Sequence, residues 1–267
     1  VKPTREHLAG AVVGAAVGEA LGMPLKFAAA RPETPVNRYL PGGEFGGICG
    51  NLKAGQWTDG AQALIMVLES LLNRGKTDPA DIRGRFRKWA VSGKSRVPGS
   101  AFRSAAAAGT AARTEDAAPI VLAAPLAFLV EEKDAVEICK LTHDSADCVR
   151  WMTGIYRAAS LGHAEAKKFF KRESAGWSGS NTGWVTDTGM CALKAALETD
   201  NFKDAVVMAA NCGGNSDAIG AVAGGLAGAW HTFSSIPEEF LFTLESGGRL
   251  RRLSDMVFEQ FIERFSN

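Results

Sequence analysis

The chain of 267 residues lacks charge of one dominant sign: 30 Lys and Arg stand against 29 Asp and Glu, leaving a net charge of +1. Without a global field it has no general attraction for nucleic acid or an anionic membrane, and neither is expected as a partner. Nor is there a run of ~18 uninterrupted apolar residues, so a membrane span is not expected. The nearest approach, "LAGAVVGAAVGEALGMP" at residues 8–24, superficially resembles a signal peptide behind Lys2 and Arg5, but Glu19 interrupts it and no small-residue cleavage site is followed by secreted-type chemistry. The five cysteines (Cys49, Cys139, Cys148, Cys191, Cys212) are odd in number and form no CxxC pair or His/Cys cluster. That usage favours a reducing, cytoplasmic compartment, with thiols acting as small core residues rather than a disulfide framework or a zinc site.

Alternating β-branched runs are also scarce, whereas Ala and Gly are abundant and the periodic segments are long. The expectation is an all-α single domain over 1–267, with about 13 helices. They are placed near 6–22, 60–73, 79–91, 99–112, 118–131, 133–141, 145–161, 163–172, 184–198, 201–211, 217–231, 237–243 and 249–264. Capping signals precede several: Asp78 before Pro79, Asp200 or Asn201, and Ser235 before Pro237 with Glu238 and Glu239 behind it. Gly10, Gly14 and Gly18, and again Gly220, Gly224 and Gly228, repeat every fourth residue and predict faces on which two helix axes approach closely. The stretch 27–57, with three prolines and six glycines, has no helical period and reads as a long loop, either a lid or a plug.

Two helix starts carry oxygen-rich side chains: Thr58 and Asp59 in "GQWTDGAQ", and Asn215, Ser216 and Asp217 in "NCGGNSDAIG". Each set has equal claims as helix caps and as ligands. Two such mouths in an all-helical protein could gather oxygen ligands for a hard cation.

These motifs resemble the ADP-ribosylglycohydrolases, a family that includes the dinitrogenase reductase activating glycohydrolases. "GAVVGAAVGEALGMPLKF" is similar to the family's first helix, of the form GxxxGxxxGDALGxPxEF, and "WTDGAQ" stands where the family has Thr-Asp-Asp-Thr. "LTHDSADCV" resembles its Thr-His segment, "GWVTDTGMCALKAAL" its following core helix, and "NCGGNSDAIGAVAGGLAGAW" its Gly-Gly-Asp-Thr-Asp-Thr motif; "SSIPEEFL" continues the match. The resemblance implies an all-helical domain with two divalent metals, Mg or Mn, between the two helix mouths. It also implies ADP-ribose, and an ADP-ribosylated protein or small acceptor, as ligand and substrate.

Carried over residue by residue, Thr58, Asp59 and Asp217 match metal ligands, whereas Gly60, Asn215 and Ala218 depart from the pattern and remove two negative charges. Lys26 stands where the family has a catalytic Glu, a reversal of charge that could supply a cation to Asp59 and Asp217. The run "TEDAAPIVLAAPLAFLV" has neither the glycines nor the arginine of the family's ADP-ribose loop. His143 matches the Thr-His position near the ligand, and Trp57 and Trp184 could stack a base, although core packing is the commoner role for such residues. Three functions remain open. One is a nucleotide-binding protein with a degraded metal site, in which Lys26, Asp59 and Asp217 are the acting groups and Thr58, Asn215, Ser216, His143, Trp57 and Trp184 surround the ligand. The others are a working metal-dependent hydrolase and a non-catalytic scaffold.

Overall fold

The computed structural model describes residues 4–261, and among them it is all helical, with no strand and only two isolated β-bridges. Two helices lie at the centre: α1 (Arg5–Gly22) and α11 (Ser216–His231). Every residue of α1 from Leu8 to Gly22 is buried, so it is the all-round apolar helix of a core rather than a surface helix. With the turn that follows, α1 is long and apolar enough to cross a membrane by composition alone, yet from Leu8 to Leu25 it is buried within the protein.

The glycine spacing explains the central contact. A β-carbon on Gly10 would lie 2.1 Å from the Gly228 carbonyl oxygen, on Gly14 2.3 Å from that of Gly224, and on Gly18 1.9 Å from that of Gly220. The two helices therefore run antiparallel with backbones in contact, which only a hydrogen side chain permits. This seam places the C-terminal end of α1 against the start of α11, where Gly22 touches Ser216.

Around the pair lie α2 (Asp59–Arg74), α3 (Pro79–Val91), α4 (Ser100–Ala108), α5 (Ala123–Leu126), α6 (Glu132–Lys140), α7 (Ala146–Leu161), α8 (His163–Glu173), α9 (Val185–Leu197), α10 (Phe202–Ala210), α12 (Glu238–Thr243) and α13 (Gly247–Phe261). Asp78 and Asn201 cap α3 and α10 as expected, accepting from the backbone N–H groups of Asp81 and Asp204. Ser235 does not cap α12; its hydroxyl donates to the Thr232 carbonyl, and Pro237 takes the cap position. The expected helix over 118–131 is a 3-10 turn, Ala118–Leu122, followed by the single turn of α5. Pro119 and Pro125 deny it two backbone donors. The helix expected over 99–112 stops at Ala108, where Gly109 enters the left-handed conformation. The end of the last expected helix, 262–264, lies outside the described residues.

The 27–57 segment contains no helix or strand but is well tied down. Asn211 clamps Val36, accepting from its N–H and donating to its carbonyl at 2.9 Å each. Ala29 and Ala30 both donate to Phe45, and Ile48 donates to the Lys26 carbonyl. These bonds fold the loop back beside the mouth of α11. All five cysteines are free thiols.

Candidate functional site

Four chain segments meet where α1 ends and α2 and α11 begin. Their charged groups are Glu19 from α1, Lys26 from the 3-10 turn Met23–Leu25 and its exit, Asp59 from α2 and Asp217 from α11; all are buried. The two helix starts do not use their own capping side chains. Thr58 and Asn215 occupy the cap positions of α2 and α11, yet neither side chain bonds its own helix. Glu19 caps α2 instead: Oε1 accepts from the Gly60 N–H at 2.8 Å and Oε2 from the Ala61 N–H at 2.7 Å.

That leaves the Thr58 hydroxyl to bridge two acids, 2.6 Å from Glu19 Oε1 and 2.7 Å from Asp217 Oδ2. A hydroxyl has one proton to give, so both short contacts are hydrogen bonds only if one of the two carboxyl groups carries a proton. Burial pushes Glu19 up to about 8, helped by Asp59 and Asp217 and opposed by its hydrogen bonds with Thr58 and the Ala61 N–H, which makes it the natural holder. Burial also raises Asp59 to about 7, with Lys26 working against the rise and Asp217 adding to it.

The Lys26 ammonium donates to Asp217 Oδ2 at 2.7 Å and lies 3.9 Å from Asp59 Oδ1. Burial alone would pull it down, but the two aspartates outweigh burial and hold it above the ordinary lysine range. The other oxygen of Asp217, Oδ1, is buried with no hydrogen-bond partner. Glu19, Asp59 and Asp217 thus form a buried acidic cluster able to hold a metal ion, with ligand atoms all within 4.8 Å of one another. The donor set fits one hard cation, and the orphan oxygen of Asp217 is the group that would gain most from it. A second ion would find fewer side-chain ligands: Gly60 and Ala218 offer none, Asn215 keeps only its amide oxygen to give while its nitrogen donates to Thr188 Oγ1 at 3.3 Å, and the Lys26 ammonium already sits beside Asp59 and Asp217.

The cluster opens on a cavity of ≈ 230 Å³. Glu19, Lys26, Asp59, Asn215 and Asp217 line one side; Val97, Pro98, Gly99, Asp116 and Val121 line the other; and the half-exposed Phe27 and Ile48 stand at its edge. Phe27 and Val97 both have φ near 47°, in the left-handed region that bulky side chains avoid. For β-branched Val97 this is stored strain, held in place in a cavity wall.

The other expected site residues fall differently. Ser216 is fully buried and donates to the Gly22 carbonyl at 2.7 Å, locking α11 to the end of α1 rather than facing a ligand. Trp57 is packed in the core, its indole N–H on the Glu245 carbonyl and the Arg96 guanidinium 4.6 Å above its ring. His143 is wholly buried behind Asp116, with Nε2 unpartnered and 3.8 Å from Asp116 Oδ1. Trp184 is 56% exposed, next to Gly183 of the cavity lining. Sequence reasoning missed Glu19, Asp116 and Phe27. For Glu19 a signal existed: it is the lone acid between Leu8 and Leu25, where an unpaired charge would be prohibitive.

Comparison with known proteins agrees over the whole length. The ADP-ribosylglycohydrolase family model matches residues 2–267. The chain is similar to the ADP-ribosylarginine hydrolase Tri1 of Serratia proteamaculans, 26% identical over 93% of this chain and 78% of that protein. It is also similar to the ADP-ribosyl-[dinitrogen reductase] glycohydrolase of Rhodospirillum rubrum, 28% identical over 88% of this chain and 89% of the other. A solved structure described as an ADP-ribosylglycohydrolase-related protein complex superposes with a TM-score of 0.81 at 26% identity, covering 96% of this chain and 98% of that one.

Proposed function

The chain belongs to the ADP-ribosylglycohydrolase family, and from that premise we propose that its cavity binds ADP-ribose or a related nucleotide with Lys26 standing in for a metal cation, and with weak or no family-type hydrolysis. The observation that carries this reading is the 2.7 Å contact between Lys26 Nζ and Asp217 Oδ2, with Asp59 on the other side of the ammonium. An ammonium neutralises carboxylates and can donate to a ligand hydroxyl or phosphate. It offers no open coordination position, and it does not lower the pKa of a bound water as a divalent ion does. The charge balance of a binding site is thereby kept while the means of activating a nucleophile is lost.

The cavity, at ≈ 230 Å³, is below the ~300–1,000 Å³ that encloses a drug-sized ligand. It therefore takes one end of a dinucleotide-sized molecule, the ribose end next to the charged cluster, and leaves the rest to lie across Phe27, Ile48 and the exposed face of Trp184. A partner protein bearing ADP-ribose is accommodated in the same way, as is a free nucleotide. Calorimetric titration with ADP-ribose, with and without Mg or Mn, tests the reading: metal-independent binding supports it, and no binding in either condition defeats it.

A second reading is a working metal-dependent hydrolase acting on ADP-ribosylated arginine, the substrate named for the Serratia relative. One observation favours it, the unpartnered Asp217 Oδ1 within a three-carboxylate cluster. Glu19, Asp59 and Asp217 would hold the ion, assisted by Thr58 Oγ1, and the ion when bound would supply charge neutralisation and an activated water. Release of ADP-ribose from ADP-ribosylarginine by the pure protein, only with Mg or Mn present, would establish this reading over the first.

A further inference from the structure

The charge that is balanced over the whole chain is unevenly placed. Between Arg74 and Arg113 there are ten basic and two acidic residues, a net +8 in a chain of net +1, so the remainder carries −7. No Asp or Glu occurs from Ile82 to Thr114. Helices α3 and α4 are held together on their inner sides by Phe102, whose ring packs 5.7 Å from Phe86 and 4.9 Å from Trp89. Their outer sides, with the segments that follow each helix, present Arg83, Arg87, Lys88, Lys94, Arg103 and Arg113, all exposed. None of these six makes an ion pair among the described residues. Of the acids that reach this region from elsewhere, Glu69 and Glu245 are taken by Arg85 and Arg96, and Asp116 reaches Gly99 on the cavity side, with its ion-pair contact to His143 rather than to any of the six.

The same segment forms a wall of the cavity. The α3–α4 connection supplies Val97, Pro98, Gly99 and Ser100 to the lining. Lys94 is three residues before that wall and Arg103 one helical turn after it, so the basic face begins within ~10 Å of the lining along the chain.

We propose that the outer face of α3 and α4 docks an acidic stretch of a protein partner, the stretch that flanks a modified side chain entering the adjacent cavity. The inference rests on the ADP-ribose cavity proposed above and names the kind of surface that carries the group. Three observations favour an acidic polypeptide over nucleic acid. The aromatic rings of this region are turned inward, so no platform for stacked bases is presented. The −7 carried by the rest of the molecule opposes wrapping by a long polyanion. The patch is also confined to two short helices and the segments after them, α3 being about 20 Å long, which suits a short acidic stretch rather than a long polyanion.

The test uses two arginine peptides, one flanked by glutamates and one by lysines, each unmodified and ADP-ribosylated, with anisotropy as the readout. The wild-type protein is expected to bind the glutamate-flanked peptides about tenfold more tightly at low salt, with the preference falling as salt rises. The variant Arg87→Glu/Lys94→Glu/Arg103→Glu should lose that preference while binding free ADP-ribose as before. Equal affinity for the two flanks, or a preference that survives in the variant, overturns the proposal. So does a single-stranded oligonucleotide that outcompetes the acidic peptide. If free ADP-ribose fails to bind while the unmodified acidic peptide keeps its preference, the cavity reading falls and the docking face stands.

Discussion

Glu19 Oε1 lies 2.7 Å from the point where a β-carbon on Gly60 would stand. A side chain at residue 60 and the carboxylate reaching from α1 therefore compete for one space: the acid on α1 occupies it and caps α2. Gly60→Asp alone should destabilise the fold by about 2–3 kcal/mol, through overpacking and a further buried carboxylate. Combined with Glu19→Asp, which withdraws the carboxylate by one methylene, it should recover at least about 1 kcal/mol of coupling. Urea unfolding of the two single variants and the double variant measures this, and strict additivity would refute the pairing.

Lys26 holds two buried aspartates, so its removal leaves charges that only another cation can satisfy. Lys26→Ala should cost about 3 kcal/mol or more in the absence of metal. Millimolar Mg or Mn should restore much of the loss, because the space vacated lies among three carboxylates. In a thermal-shift experiment with and without chelator, the variant should respond to metal and the wild type hardly at all. A wild type that responds as strongly would show that Lys26 yields to a cation.

The raised Glu19 carboxyl gives stability a definite pH slope. In the folded protein it keeps its proton to about 8, whereas in the unfolded chain it loses it near the ordinary 4.5. Between those values the native state binds more protons than the unfolded state, so stability falls as pH rises through the window. Asp59, raised to about 7, adds to the slope in the lower part of the range. Urea midpoints should therefore be higher near pH 5.5 than near pH 8.5, and Glu19→Gln should flatten the difference. A profile unchanged by Glu19→Gln would mean that the carboxyl is already ionised across that range.

Much of this was legible in the residues, and the parts that were not have physical reasons. The glycines at every fourth position of two segments encode the α1–α11 contact directly, because close approach demands them. Asp59 and Asp217 stood out at two oxygen-rich helix starts, the resemblance marked the place of Lys26, and the structure brings all three together. Glu19 was passed over because it sits inside an apolar helix, where a sequence pattern shows only an interruption and not the helix start it reaches in three dimensions. Thr58 and Asn215 read equally well as caps, since nothing local reveals that Glu19 would take over the capping of α2. Trp57 and Ser216 have the right chemistry for a ligand, but each spends its polar atom on a backbone carbonyl elsewhere.

The glycine seam makes a prediction in which two physical effects have opposite signs. In an exposed helix interior, Ala is favoured over Gly by about 0.5–1 kcal/mol, because Gly loses more backbone freedom on folding. Gly84, in α3, is such a site: a β-carbon there would meet nothing within 4 Å. Gly84→Ala should therefore stabilise the protein by about that amount. At Gly18 the same methyl would stand 1.9 Å from the Gly220 carbonyl oxygen and cannot be relieved by moving a side chain, since the obstacle is backbone. Overpacking then outweighs propensity, and Gly18→Ala should destabilise by about 3 kcal/mol or more. Because Gly18 and Gly22 also set where Glu19 stands relative to α2 and α11, the loss should extend to the site, lowering affinity for ADP-ribose even where the variant still folds. Unfolding midpoints for the two variants check the signs, and a Gly18→Ala protein as stable as wild type would show that α1 and α11 are not in backbone contact.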